Sequence, residues 1–101
     1  HKLMDMSLRL DAARSLVYEL AYRIEHKLGD PAQLVARICM AQVLSTQAMQ
    51  YCADQAIQIL GGMGFMRGTR SERIYREVQV MMHGGGSGEI MKDLASRQLG
   101  I

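Results

Sequence analysis

The sequence has few of the residues that interrupt helices. It contains one proline, one phenylalanine and no tryptophan in 101 residues, and only 5% of the chain is aromatic. A single proline is compatible with long helices, because proline removes a backbone hydrogen bond wherever it stands inside one. No segment alternates apolar and polar residues with the period of a strand, so the sequence predicts an all-α fold.

Other absences exclude classes of function. The net charge of +2 is far from the basic balance of a nucleic-acid-binding domain, and no RRM, KH or zinc-finger signature is present. No run of 18 apolar residues occurs, so we expect no membrane span. The histidines and cysteines lack metal-ligand spacing, so we expect no metal site. Cys39 and Cys52 are too far apart along one predicted helix to form a disulfide, and two free thiols indicate a reducing compartment.

Apolar residues recur every three or four positions and predict four helices. Capping residues stand in front of three of them, and glycines follow the first two. The residues between the second and third helices, 63–68, are predicted as a loop. The predicted helices are 1–28, 31–60, 71–82 and 88–99, with caps at Asp30, Thr69 together with Glu72, and Ser87.

The same periodicity predicts which side of each helix faces inward. The second helix has an inner stripe of small residues, which lets neighbouring helices approach closely and indicates the central helix of a bundle. The predicted inner faces are Leu3, Met6, Leu10, Ala13, Val17, Leu20, Ile24 and Leu28; then Ala41, Ser45, Ala48, Cys52 and Ala56; then Ile74, Val78, Met81 and Met82; and finally Ile90, Leu94 and Ile101.

Two glycine-rich segments, 58–65 and 84–92, directly flank predicted helices. Glycine lets a ligand approach the backbone, and a helix N-terminus offers N–H groups to phosphate or carbonyl oxygens. Each segment can equally be a helix cap or a tight turn between helices, and the residues alone leave both interpretations open.

Charged residues near these segments have simpler interpretations. Four arginines recur every three residues, and we favour a solvated face paired with Glu72 and Glu77 over a phosphate site. His83 precedes the second glycine segment, and we favour an exposed histidine at a helix end over a general acid. The arginines are Arg67, Arg70, Arg73 and Arg76.

Three motifs in order resemble the C-terminal signature of the acyl-CoA dehydrogenases. They are QILGGMGF at 58–65, RIYRE at 73–77 and GGSGEIMK at 85–92, and the resemblance extends to residues 2–6 and 94–97. It therefore covers the whole chain. It implies one domain, 1–101, that is an up-and-down helical bundle lacking the family's first bundle helix. Because the chain has no initiator methionine and begins inside a helix, we expect it to be a piece of a larger enzyme.

The resemblance also implies positions for a cofactor and a substrate. FAD would be contacted at its adenine-dinucleotide end, in a partner subunit, by the first glycine segment, and at its flavin end, within the same subunit, by the second. Gly85 occupies the position of the catalytic glutamate of many members, so we assign no catalytic residue here and expect the base upstream of His1. The implied cofactor residues are Gln58, Ile59, Leu60, Gly61, Gly62, Ser87, Gly88 and Glu89, and Gly86 would lie beside the acyl thioester.

The function that the resemblance implies is α,β-desaturation of an acyl-CoA thioester by a homo-oligomeric flavoprotein. An electron-transfer flavoprotein would accept the electrons, in the mitochondrial matrix of a eukaryote or the cytoplasm of a prokaryote. The residues of segment 85–92 resemble the long-chain-like branch of the family more than other branches. We expect the chain alone to be inactive and to bind FAD weakly or not at all. Two alternatives stay open, an inactive helical assembly module or fragment and an acyl-CoA oxidase-like relative.

Overall fold

The computed structural model describes every residue from His1 to Ile101 and contains only helices. The all-α prediction is therefore confirmed. No helix combines the length and the apolar character needed to cross a membrane. The helices are α1 (Lys2–Glu25), α2 (Pro31–Leu60), α3 (Gly62–Phe65), α4 (Arg70–His83) and α5 (Gly88–Leu99).

Two predicted boundaries were wrong. Helix α1 ends at Glu25 rather than Leu28, because Lys27 and Gly29 both take a left-handed backbone, with φ of 53° and 85°. The Leu28 N–H instead donates to the Arg23 carbonyl at 2.9 Å, which closes the helix end. The segment 63–68, predicted as a loop, contributes most of the single helical turn α3.

The predicted capping residues Asp30, Thr69 and Ser87 are confirmed, but the Glu72 carboxylate accepts from Arg76 rather than completing a capping box with the Thr69 N–H. The Asp30 carboxylate accepts a hydrogen bond from the Gln33 N–H at 3.2 Å, with Pro31 in the first helical position. Thr69 caps α4 by accepting from the Glu72 N–H at 3.4 Å, and Ser87 caps α5 in the same way. Each cap satisfies a donor that has no partner within its own helix, and this fixes where the helix begins.

Helix α2 is the centre of the molecule, as its small residues predicted. Helices α1, α4 and α5 each pack against it. Helix α1 runs antiparallel to α2, because the Met6 carbonyl lies near Cys52 while Glu19 bonds to Arg37. Helix α4 then returns along α2 and ends near Gln42. This alternation makes the up-and-down arrangement, in a body of 48 × 24 × 22 Å.

The core is small and consists mostly of alanine. Only 12 of the 101 residues are buried, and Ala36, Ala48 and Ala53 are among the least exposed. Alanines let the helix backbones approach closely, so contact is made along narrow stripes and the larger apolar side chains lie to either side. Leu20 and Val78 are buried as predicted.

Several predicted inward residues are exposed instead. Ile90 of α5 is 63% exposed, and Ile101, beyond the end of α5, is 90% exposed. By contrast, Ala95 and Met91 of α5 pack against Ala36 and Cys39 of α2. Met91 and Ala95 are four residues apart and share a helix face one position away from the predicted one. The small residue therefore determines the contact face, rather than the larger ones. The other predicted inner residues that prove exposed are Leu3, Leu10, Val17, Ile24, Leu28, Ile74, Met81 and Leu94.

Candidate functional site

The first glycine segment forms an exposed turn at the end of α2. Gly61 ends that helix with φ 61° and ψ −141°, a conformation that glycine adopts without strain. Apart from the adjacent backbone, no atom lies within 4 Å of where a Cβ would stand at Gly61 or Gly62. Gln58, Ile59 and Leu60 are also exposed, so a ligand can reach both the side chains and the backbone here.

The same turn is packed against α2 at Gly64, which is buried. A Cβ at Gly64 would stand 2.9 Å from the Cβ of Leu60 and 3.1 Å from the Cα of Ile57. The Gly64 carbonyl accepts a hydrogen bond from the Ser71 hydroxyl at 2.9 Å, and Thr69 Oγ1 donates to the Met66 carbonyl at 2.8 Å. The turn is thus fixed to both α2 and α4.

The second glycine segment joins α4 to α5. Gly85 and Gly86 have φ of 85° and 118°, which residues with a side chain rarely adopt. The Ser87 hydroxyl oxygen accepts a hydrogen bond from the Ile90 N–H, whereas the N–H groups of Gly88 and Glu89 have no intrahelical partner. Gly88 has no atom within 4 Å of its Cβ position. These features give an accessible helix N-terminus suited to a ligand oxygen.

The structure keeps the two segments apart. A Cβ at Gly85 would lie 3.9 Å from Nε2 of Gln42, so the second segment sits beside the first half of α2. Gln58 follows sixteen residues later on the same helix, which at a rise of about 1.5 Å per residue is about 24 Å away. Within one chain the candidate residues therefore form two separate surfaces and not one pocket.

Ion pairs account for two of the four arginines near the first segment. Arg76 pairs with Glu72, and Arg73 with Glu77 at 3.6 Å, which confirms the paired face. The hydrogen bond from Arg76 holds the pKa of the Glu72 carboxyl below its ordinary value. His83 is the exposed last residue of α4, and its Nδ1 lies 2.7 Å from the Gln79 carbonyl oxygen. Its position agrees with a helix-end histidine.

Both cysteines are free thiols, Cys39 buried and Cys52 half-buried. Burial raises the pKa of Cys52, so this thiol is a poor nucleophile at neutral pH. No group of three or more histidine, cysteine or acidic side chains is arranged to hold a metal ion.

The fold adds two features to the glycine segments. The first is an apolar groove of about 610 Å³ between α1, α2 and α4. Its floor includes Ser45, Ala48, Cys52 and Ala56 from the small stripe, so the stripe that predicted close packing is only partly covered. The second is Ser71, which donates a hydrogen bond to the Gly64 carbonyl from seven residues further along the chain. No sequence motif singled out this residue.

Comparison with known proteins identifies the family. The family model described as the C-terminal domain of acyl-CoA dehydrogenase matches residues 1–100. This chain belongs to the acyl-CoA dehydrogenase family. A crystal structure of a putative acyl-CoA dehydrogenase from Mycobacterium smegmatis superposes with a TM-score of 0.90 over 98% of the chain, at 34% identity. The chain covers 25% of that protein.

Family members with different names match this chain about equally well. A probable acyl-CoA dehydrogenase from Bacillus subtilis is 34% identical over 97% of the chain, and the human mitochondrial short-chain specific acyl-CoA dehydrogenase 34% over 90%. A 3-(aryl)acrylate reductase from Clostridium sporogenes is 32% identical over 97%. The chain spans 25%, 21% and 25% of these relatives, respectively. These matches do not single out the long-chain-like branch.

Proposed function

We propose that this chain is the C-terminal, FAD-contacting and oligomerisation domain of an enzyme that desaturates acyl-CoA thioesters between their α and β carbons. The proposal rests on the accessibility of the backbone in the two glycine-rich motifs. Each forms a turn with open backbone at particular glycines, Gly61 and Gly62 in the first and Gly88 in the second, although Gly64 and Gly86 are packed against neighbouring side chains. A turn that served only to connect helices would not need this open backbone.

The open positions suit the two ends of an extended cofactor. The turn at Gly61 and Gly62 would contact the adenine-dinucleotide end of a partner subunit's FAD, together with Gln58, Ile59 and Leu60. The α5 N-terminus, with Ser87, Gly88 and Glu89, would contact the flavin end of the FAD of its own subunit. When bound, FAD would supply the acceptor for the β-hydride. The separation of about 24 Å along α2 supports the assignment to two cofactors.

Gly85 and Gly86 would lie beside the acyl thioester without acting on it. Removal of the α-proton needs a carboxylate about 3 Å from that proton's carbon. Glu89 is four residues beyond Gly85, in the first turn of α5, and in the family position that contacts flavin. We infer that the base comes from a segment upstream of His1 and that Gly85 leaves room for it.

The same resemblance supplies partners for the complete enzyme. A homo-oligomer would bring the first segment of one subunit to the cofactor of another. An electron-transfer flavoprotein would reoxidise the flavin, in the mitochondrial matrix or the bacterial cytoplasm. The exposed apolar side chains of the helices support an assembled state, because large exposed apolar patches are uncommon on monomers.

The complete polypeptide that carries this domain provides the test. We expect it to purify with bound flavin and to desaturate an acyl-CoA in the presence of an electron-transfer flavoprotein. Gly62→Val and Gly88→Val place a branched side chain where the fold has room but a ligand must approach, so each should lose most of its flavin. Ala12→Val, at an exposed position of α1 away from both turns, is the control.

The alternatives give different results in the same assays. An oxidase-like enzyme would consume oxygen at a rate matching substrate turnover, without the electron-transfer flavoprotein. An inactive assembly module would purify without flavin and with no turnover, which would refute the proposal. Because one relative is named a 3-(aryl)acrylate reductase, the assay should also be run in the direction of double-bond reduction.

The position of the base is tested by substitution. In the complete enzyme, one upstream glutamate replaced by glutamine should abolish desaturation. Gly85→Glu should not restore it, because φ of 85° strains any residue with a side chain by about 1–2 kcal/mol. If no upstream glutamate matters and Gly85→Glu alone creates activity, this assignment is wrong.

A further inference from the structure

We propose that Ser71 is a positioning residue that holds the turn at residues 61–65 in the shape that contacts FAD. The inference rests on the proposed function for the role of the turn, but its structural basis is independent of any ligand. Ser71 is a buried polar residue, 9% exposed, and its hydroxyl donates to the Gly64 carbonyl at 2.9 Å. Ser71 lies between the motifs at 58–65 and 73–77, and it belongs to a different helix from Gly64.

The Ser71 hydroxyl makes the one short link from α4 to the Gly64 carbonyl. Thr69 Oγ1 stands 3.4 Å from the same oxygen but donates its closer bond, at 2.8 Å, to Met66. Within the turn, the Gly64 N–H donates to Gly61 and the Met66 N–H to Gly62. The Gly64 carbonyl, by contrast, is at the end of α3 and depends on a partner from outside that helix.

This dependence matters because α3 cannot hold itself together. It has four residues, whereas isolated helices shorter than about 12 residues are marginal in water. Close packing at Gly64 prevents the turn from moving inward, and the Ser71 bond prevents it from lifting away. Without the hydroxyl the turn would populate several shapes, and FAD would bind only the fraction that has the correct one.

Ser71 also faces a space that allows a discriminating pair of substitutions. It lines the 610 Å³ groove between α1, α2 and α4, so a slightly larger side chain has room. Threonine and valine have nearly the same volume and differ in the hydroxyl group. Ser71→Thr therefore keeps the bond to Gly64, and Ser71→Val removes it at equal bulk.

The first measurement is the dissociation constant of FAD from the complete polypeptide. Ser71→Val should raise it about tenfold, equivalent to about 1.4 kcal/mol, while Ser71→Thr should stay close to the wild type. Turnover at saturating FAD should be unchanged in both, because Ser71 does not touch the reacting atoms. Ser96→Val is the matched control, since it removes a hydroxyl with a 2.9 Å bond to a carbonyl on α5, remote from the turn.

The second measurement is hydrogen exchange of the FAD-free protein. The amides of residues 62–66 should exchange faster in Ser71→Val than in Ser71→Thr, while the amides of α1 exchange equally in the two variants. Equal FAD affinity and equal exchange in the two variants would overturn the role of Ser71. A wild-type polypeptide that binds no FAD would overturn the proposed function and, with it, the cofactor part of this inference. In that case the exchange contrast would still show whether Ser71 holds the turn.

Discussion

Single residues in the glycine segments differ more than their sequence indicates. Gly61, Gly62 and Gly64 stand within four positions of each other, yet only Gly64 is packed against neighbouring atoms. The residues alone left open whether this segment exposes its backbone, and it does so at Gly61 and Gly62. The tight fit at Gly64 depends on how the chain folds back onto Ile57 and Leu60, which no local pattern encodes.

This difference predicts opposite responses to the same substitution. Gly64→Ala should lower the free energy of unfolding by about 1–3 kcal/mol, because the new methyl group would overlap the Cβ of Leu60. Gly62→Ala should change it by less than about 1 kcal/mol in either direction, because its surroundings are open and its φ is not left-handed. Urea denaturation of both variants measures the contrast. Equal losses would show that the turn is loosely packed at Gly64.

At the level of helices, the sequence was most informative where a local signal decided the outcome. Asp30, Thr69 and Ser87 gave the helix starts to within one residue, because capping depends on residues within one turn. The inward face of α5 was wrong because it depends on which side chain α2 can accept. Ala36 and Cys39 leave a shallow surface that fits Ala95 and Met91 rather than Ile90.

An ion pair joins α1 to α2, and its contribution to the stability of the folded state should depend on pH. Glu19 accepts from Arg23 at 2.9 Å and from Arg37 of α2 at 3.1 Å. The hydrogen bond from Arg23 is the main cause that lowers the pKa of Glu19 below its ordinary value of 4.5. The carboxylate therefore stabilises the folded state above that value, and this contribution is lost as the pH falls through the lowered pKa.

We therefore expect Glu19→Gln to be less stable than the wild type at pH 7, and the difference to shrink as the pH falls further below 4.5. Glu25→Gln, at the exposed end of α1 and outside any ion pair, should show no such dependence. Thermal unfolding across this pH range measures the two differences. A stability gap for Glu19→Gln that persists unchanged at pH 3 would contradict the electrostatic account.

At the level of the whole molecule, the chain has too little interior for its apolar content. Hydrophobic residues make up 49% of the sequence, but the buried core contains no large side chain that is completely enclosed. Grooves remain on both sides of α2, one facing α1 and α4 and one of about 380 Å³ facing α5. Sequence periodicity located the apolar stripes, and the structure leaves the stripe of Ser45, Ala48 and Cys52 open along one side.

These uncovered faces predict that the isolated chain associates with itself. The larger groove should form the contact, because its floor of small residues admits a side chain from another copy. Val17→Glu places a charge at this groove and should increase the monomer fraction in sedimentation velocity. Val80→Glu alters a more exposed valine that does not line the grooves described here, and should leave association unchanged. A wild-type chain that stays monomeric at high concentration would refute the prediction.

The same geometry predicts that the isolated chain binds FAD weakly or not at all. Ligands that bind tightly bury most of their surface in a concave site. Here the two candidate surfaces are exposed, lie about 24 Å apart along α2, and would serve different cofactor molecules. Each FAD would therefore gain the contacts of one turn, and most of its surface would remain in water. Self-association need not correct this, because the remaining contacts would come from segments outside this chain.

Titration of FAD followed by flavin fluorescence measures the affinity, with the complete polypeptide as control. Purification of the isolated chain with near-stoichiometric flavin would show instead that these helices alone enclose the cofactor.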